Sequence, residues 1–326
     1  MPERDQYQWL PNARRLAGIF ICAFMLVLTG CATPQTTALH TQTANELPRR
    51  IELSAVPYFA QEAHQCGPAT LAMVFGANGL VVTPQQLEPQ IYLPAKAGSL
   101  QIEMLAATRR NGFLAYPLAP QLRDLLAEIA AGHPVIVLQN LAFNWYPVWH
   151  YAVAIGYDLE RAEIILRSGP ERRQQLPLTT FERTWSRSNY WTMLALTPGE
   201  LPQSGDAERY LDAAVALEQT RQLSAAGTAY NAALQRWPDN LTAQMGIGNI
   251  AYARGDFANA EIAFRTATQH HPDSAAAFNN LADALARQKK YREALAAART
   301  AVTLGGANSE VFAQTLREIE TQLNAR

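Results

Sequence analysis

The period of apolar positions changes along the chain, and each change marks a candidate element. An apolar run from Leu16 to Leu28 follows Arg14 and Arg15. It falls short of the ~20 apolar residues that span a bilayer, and it suits the core of a secretory signal peptide over residues 1–30. Residues 31–50, rich in Thr, Gln and Ala without apolar period, read as a flexible tether. Ile51 to Val56 alternates as a short strand. Ala69 to Phe75 forms one apolar helix, with Pro68 in its first turn and an end near Gly76 or Gly79. Gln101–Arg110 and Leu122–Ala131 read as helices stopped by Gly112 and Gly132. Pro134–Leu138, His150–Tyr157, Ala162–Arg167 and Tyr190–Leu196 read as strands, with a short helix over Thr180–Trp185. Helices first and an antiparallel sheet after them predict an α+β domain over residues 51–198.

Beyond a linker at 199–206, the pattern becomes a helical repeat of about 34 residues, the period of tetratricopeptide repeats. Copies run over 207–240, 241–274 and 275–308. Gly248, Tyr252, Ala260, Phe264, Ala267 and Pro272 mark the second. Ala226, Tyr230, Ala233 and Pro238 mark the first; Leu281, Tyr291, Ala294 and Ala301 mark the third, with Gly306 where the others have proline. Ser309–Leu323 reads as a capping helix. The fold expected for residues 207–326 is an all-α tetratricopeptide-repeat solenoid, whose concave surface commonly binds a peptide or protein partner.

Composition narrows the function. Hydrophobic residues make up 48% and charged ones 17%, which excludes a disordered chain. A net charge of -1 gives no basic field for nucleic acid. His270 and His271 are adjacent but lack companion ligands nearby in sequence, so no metal and no cofactor is expected. Of the three cysteines, Cys22 and Cys31 lie near the N-terminus, and Cys66 is the remaining thiol. Leu28-Thr29-Gly30-Cys31 resembles the bacterial lipobox. The resemblance implies cleavage before Cys31 and its lipidation. With Ala32 next, sorting would be to the outer membrane, facing the periplasm of a Gram-negative bacterium.

Cys66 sits at the predicted helix start, where the helix dipole favours a thiolate. His150 heads a later strand, sharing a face with Ala152, Ala154 and Gly156. A lone buried cysteine and a strand histidine are each commonly structural; together they form the papain-like pairing of nucleophile and base. Gln61, Cys66-Gly67-Pro68-Ala69 and His150-Tyr151 resemble the bacteriocin-processing (double-glycine leader) cysteine peptidases over about residues 51–198. The resemblance implies a papain-like cysteine peptidase domain, with Cys66 as nucleophile, His150 as base and Gln61 in the oxyanion hole. Gln65 is a rival for that last role, poorly placed beside Cys66. Phe143 to Trp149, an aromatic-rich loop, either lines a substrate cleft or packs on the core.

The family's third residue, an aspartate, has no counterpart. Asp158 lies eight residues along the His150 strand, roughly 26 Å away at ~3.3 Å per residue, and is expected to shape a turn. A hairpin turn centred near Glu160 makes residue 152 face about 168, bringing Ser168 nearest His150. Asn140 and Gln139 are the alternatives. Three functions stay open: a membrane-anchored cysteine peptidase whose repeats recruit substrate or partner, a catalytically weak or inactive peptide-binding scaffold, and a cell-wall amidase. The last usually reads Asp-Cys-Ser rather than Cys-Gly-Pro.

Overall fold

The structure is a computed structural model that describes residues 33–42, 47–61 and 65–325. The expected signal peptide and Cys31 lie outside the described residues. The N-terminal domain is built on a seven-stranded sheet, antiparallel at every pairing. In chain order the helices are α1 (Pro34–Gln42), α2 (Cys66–Ala77), α3 (Pro84–Ile91), α4 (Gln101–Arg110), α5 (Leu122–Ala130) and α6 (Leu178–Ser186). The strands are β1 (Arg50–Glu52), β2 (Tyr92–Leu93), β3 (Gly98–Ser99), β4 (Leu114–Pro117), β5 (Val135–Asn140), β6 (Trp149–Asp158), β7 (Glu163–Ser168), β8 (Glu171–Pro177) and β9 (Thr192–Leu196). The sheet order is β4-β9-β5-β6-β7-β8, with β1 beside the end of β6; β2 and β3 form a separate hairpin.

Strand alternation sorts the side chains into two cores. Leu138, Tyr151, Val153 and Ile155 face α2, α3 and α4. Val137, Ala152 and Ala154 face α5 and α6, against Leu125, Phe181 and Trp185. The small residues of β6 therefore admit helices. A register shift between Ala154 and Gly156 breaks the alternation, so the predicted common face of His150, Ala152, Ala154 and Gly156 ends at Ala154. Gly156 serves another purpose: a Cβ there would lie 2.6 Å from the Ile51 carbonyl, and its absence lets β1 pair.

Within the expected tether, Pro34–Gln42 is not plain coil. Pro34–Gln42 form α1, held by the buried carboxylate of Glu182 on α6. That carboxylate accepts from the Gln35 N–H (3.0 Å), the Thr36 N–H (2.7 Å) and the Thr36 hydroxyl (2.6 Å), satisfying N–H groups that a helix start leaves bare. A tertiary partner, invisible in local composition, orders the segment. β8 also departs from expectation. Glu171-Arg172-Arg173-Gln174-Gln175 has no apolar alternation because it is an edge strand with exposed side chains.

Seven further helices follow: α7 (Ala207–Gln219), α8 (Leu223–Arg236), α9 (Leu241–Ala253), α10 (Phe257–His270), α11 (Ala275–Arg287), α12 (Tyr291–Leu304) and the capping α13 (Ser309–Asn324). The pairs start at Ala207, Leu241 and Ala275, keeping the period of about 34 residues. Small residues let them cross closely: a Cβ at Gly248 would stand 2.3 Å from the Phe264 ring. His270 is a surface residue with protein partners, 2.9 Å from Gln244 and 3.1 Å from Asp239. Among the described residues no cluster of His, Cys, Asp or Glu fits a metal ion, and no helix is long and apolar enough to cross a membrane.

Candidate active site

The site forms where β7 stops short and the edge of β6 is left open. Cys66 is the first residue of α2, preceded by Gln65, whose side chain makes no capping hydrogen bond. Pro68, in the first turn, has no N–H to lose. Gly67 permits the β2–β3 hairpin to close on the helix start, since a Cβ there would meet Ser99 Oγ at 2.4 Å and Met104 Sδ at 3.3 Å. The Cys-Gly-Pro order thus has a local physical account: nucleophile position, close approach, helix start.

The thiol does not behave as its helix position alone predicts. Burial pushes the Cys66 thiol above its ordinary value. The backbone N–H groups of Tyr151, Gly67 and Cys66, directed at the sulfur, pull it down but only in part. Desolvation outweighs the dipole in this half-buried setting. Burial also lowers His150 below the usual imidazole value. Both shifts favour the uncharged forms, thiol and imidazole.

His150 Nε2 and Ser168 Oγ are hydrogen-bonded at 2.9 Å. The hairpin register brings them together: Val153 faces Arg167, which sets residue 152 against 168; the turn-side pair Asp158–Glu163 by itself would set 152 against 169, and the bulge between Ala154 and Gly156 moves the register by one. Asp158 stays at the turn, its Oδ1 accepting from the Glu160 and Arg161 N–H groups at 3.1 Å each. The alternatives are committed elsewhere. Gln139 donates to Thr184 (2.6 Å). Asn140 accepts from the N–H groups of Ala142 (3.1 Å) and Val148 (3.0 Å) and so shapes the aromatic loop.

Gln61 is held from several sides. Its Oε1 accepts from the Gly169 N–H (2.9 Å), its own N–H donates to the Gly169 carbonyl (3.2 Å), and Nε2 makes long contacts of 3.4 Å to Tyr151 O and Thr70 Oγ1. One residue thereby ties the approach to α2 to the end of β7. Gln65 turns away to Glu88 at 3.3 Å, so only Gln61 of the two lines the cleft.

Cys66, His150 and Gln61 line one open cleft of about 800 Å³. Sequence reasoning missed its opposite wall, Lys96 to Gln101, which includes Ser99 with a buried hydroxyl facing the helix start. No local signal marked that hairpin, because strands of two residues carry no period. The aromatic loop contributes Pro147, Val148 and Trp149 to the cleft and leaves Phe143, Trp145 and Tyr146 exposed. It is a rim rather than a segment packed on the core.

Residues 53–193 match the model of the Peptidase_C39 like family. Residues 211–269 and 263–309 match that of the tetratricopeptide repeat. A comparison with curated proteins finds no match. Among solved structures, a Bacillus anthracis protein described as a C39-like peptidase is similar at 18% identity, covering 46% of this chain and 98% of its own, with a TM-score of 0.38. The TPR2B domain of yeast Sti1 is similar at 19% identity over 36% of this chain and 97% of its own, with a TM-score of 0.34. The Yersinia enterocolitica type III secretion translocator chaperone SycD is similar at 15% identity over 36% of this chain and 85% of its own, also at 0.34. The chain carries an α+β C39-like peptidase domain followed by an all-α tetratricopeptide solenoid.

Proposed function

We propose that the N-terminal domain is a thiol peptidase acting on a secreted or membrane-associated peptide or protein. The observation that carries this reading is the His150–Ser168 hydrogen bond beside the cleft that Cys66 lines. Donation from Nε2–H to Ser168 leaves Nδ1 as the lone-pair nitrogen that takes the thiol proton. The thiolate attacks the scissile carbonyl, and the N–H groups at the start of α2, with Gln61, stabilise the oxyanion. His150 then protonates the leaving amine, and water hydrolyses the thioester. The repeats recruit substrate or a partner protein. Lipidated Cys31 anchors the chain, facing the periplasm from the outer membrane of a Gram-negative bacterium.

Incubating the full chain with a diverse peptide mixture and sequencing the new termini tests the activity. Cleavage should vanish in Cys66→Ala while the far-ultraviolet spectrum is unchanged; equal cleavage by that variant sinks the proposal. Metabolic fatty-acid labelling tests the anchor, since Cys31→Ser should lose the label. A second reading, a peptide-binding scaffold with a decayed site, draws on the hydroxyl that stands where a carboxylate would charge the histidine. It predicts peptide binding without turnover in the wild type.

A further inference from the structure

The loop between β5 and β6 is built to hold its aromatic residues outward. Asn140 Oδ1 pins the two sides of its base through the Ala142 and Val148 N–H groups, and Leu141 N–H donates to the Val148 carbonyl at 2.9 Å. Phe143 and Trp145 stack at 5.6 Å between centroids. Despite this order, Trp145 is 81% exposed, Tyr146 66% and Phe143 60%. From Leu141 to Trp149 there is no charged residue. Stable exposure of so much aromatic surface calls for a partner. Trp and Tyr are the residues that settle at membrane–water interfaces, where one end of the ring is apolar and the other wet.

The path of the chain says which partner. Cys31 precedes Gln35 by four residues, a span of at most ~14 Å when extended. The Gln35 N–H is fixed to Glu182 on α6. From Glu182 to Arg187, at the end of the same helix, is five residues, about 7.5 Å of rise. The Arg187 guanidinium donates to the carbonyls of Asn140 (3.1 Å) and Ala142 (2.6 Å) at the base of the loop. One helix thus carries both the start of the docked chain and the aromatic loop.

We propose that residues 141–149 form a membrane-interface loop, with Trp145, Tyr146 and Phe143 seated in the headgroup region of the bilayer that holds acylated Cys31. This rests on the anchored reading of the chain. A diacyl anchor restrains position without orientation; the loop supplies the second contact, and its Pro147, Val148 and Trp149 wall places the cleft mouth at the membrane surface. Substrates would then be peptides at or emerging from that surface.

The test reconstitutes the acylated full-length protein into phosphatidylcholine vesicles whose acyl chains carry bromine, a short-range tryptophan quencher. The expected result is a quenched, blue-shifted emission component that disappears in Trp145→Ala, while the variant still floats with the vesicles. Flotation with unquenched Trp145 overturns the proposal. So does quenching that is lost when a cleavable apolar peptide is added, which would assign the loop to substrate. A protein that carries no fatty-acid label yet still shows Trp145 quenching refutes the anchor and upholds the loop.

Discussion

Ser168 offers the sharpest test of the site. Replacing it by alanine deletes the 2.9 Å partner of His150 Nε2 and changes little else, because the side chain is small and already buried. A neutral hydrogen bond contributes about 0.5–1.5 kcal/mol net, and a buried polar group left unpaired costs about 1–3 kcal/mol. A loss of ~1–2 kcal/mol in orienting the imidazole lowers kcat/KM roughly 5- to 30-fold. That is far smaller than the ~10⁴-fold effect of removing a charged triad member. Ser168→Asp works in the opposite direction. A carboxylate beside Nε2 favours the imidazolium, against the burial that now depresses it, and so favours the thiolate partner. Activity should be preserved or raised, and the pH at which iodoacetamide alkylates Cys66 half-maximally should move down. The assay pairs kcat/KM on a cleaved peptide with alkylation rates across pH. Wild-type kcat/KM in Ser168→Ala, or a folded but inactive Ser168→Asp, refutes the assignment.

Other consequences can be measured separately. In the wild type, the raised thiol means alkylation of Cys66 climbs steadily with pH to above its ordinary value; a plateau beginning below neutrality would show a resting ion pair instead. Asp158→Ala removes the acceptor of two turn N–H groups and should cost about 1–2 kcal/mol in denaturant unfolding, while leaving kcat/KM unchanged; an inactive folded variant would place Asp158 in the chemistry. Gly248→Ala drives a methyl into the Phe264 ring and should cost about 1–3 kcal/mol in urea unfolding of the repeats; no change would mean that the helices separate freely.

How far the site can be read from sequence depends on how local each signal is. Cys66 could be placed at a helix start because Pro68 and the apolar run after it are neighbours in sequence. Ser168 could be placed near His150 because a short hairpin fixes its partners to within a residue; the turn-side pairs such as Asp158 with Glu163 run one residue out of step, and the bulge at Ala154/Gly156 brings Val153 opposite Arg167. The repeats announce themselves through Ala226, Ala260 and Ala294 and through Tyr230 and Phe264, each set spaced by 34 residues. What escaped is whatever depends on distant partners. α1 is ordered by Glu182, about 146 residues away. The direction of the Cys66 shift depends on how completely α2 is covered. Ser99 enters the cleft through a hairpin too short to carry a period.

The expected boundary at 199–206 is a boundary of sequence pattern, and energetically the division lies further on. Tyr210, Leu211, Ala214 and Leu217 of α7 share one core with Leu114 and Tyr116 of β4 and Leu196 of β9, and that core continues to Ile250 on α9. A separate cluster begins at Ala260 and Phe264 on α10. The connecting segment is fastened as well: the buried Glu128 carboxylate accepts from the Ser204 N–H (2.9 Å) and hydroxyl (2.8 Å) and lies 2.8 Å from His133 Nδ1. Burial raises the Glu128 pKa, but hydrogen bonds from His133 and Ser204 outweigh it and leave it lowered, so this fastening weakens as pH falls through the carboxylate range. Burying a large apolar side chain contributes about 1.5–3 kcal/mol. Removing Tyr210, Leu211 and Leu217 therefore costs on the order of 5 kcal/mol, comparable with the whole stability of many domains. A chain ending at residue 198 should lose its cooperative thermal transition and bind a hydrophobic dye. One ending at residue 240, which keeps α7 and α8, should retain that transition. If the shorter chain melts cooperatively within a few degrees of the full protein, the shared core contributes little, and the peptidase domain and the repeats are independent units joined by a linker.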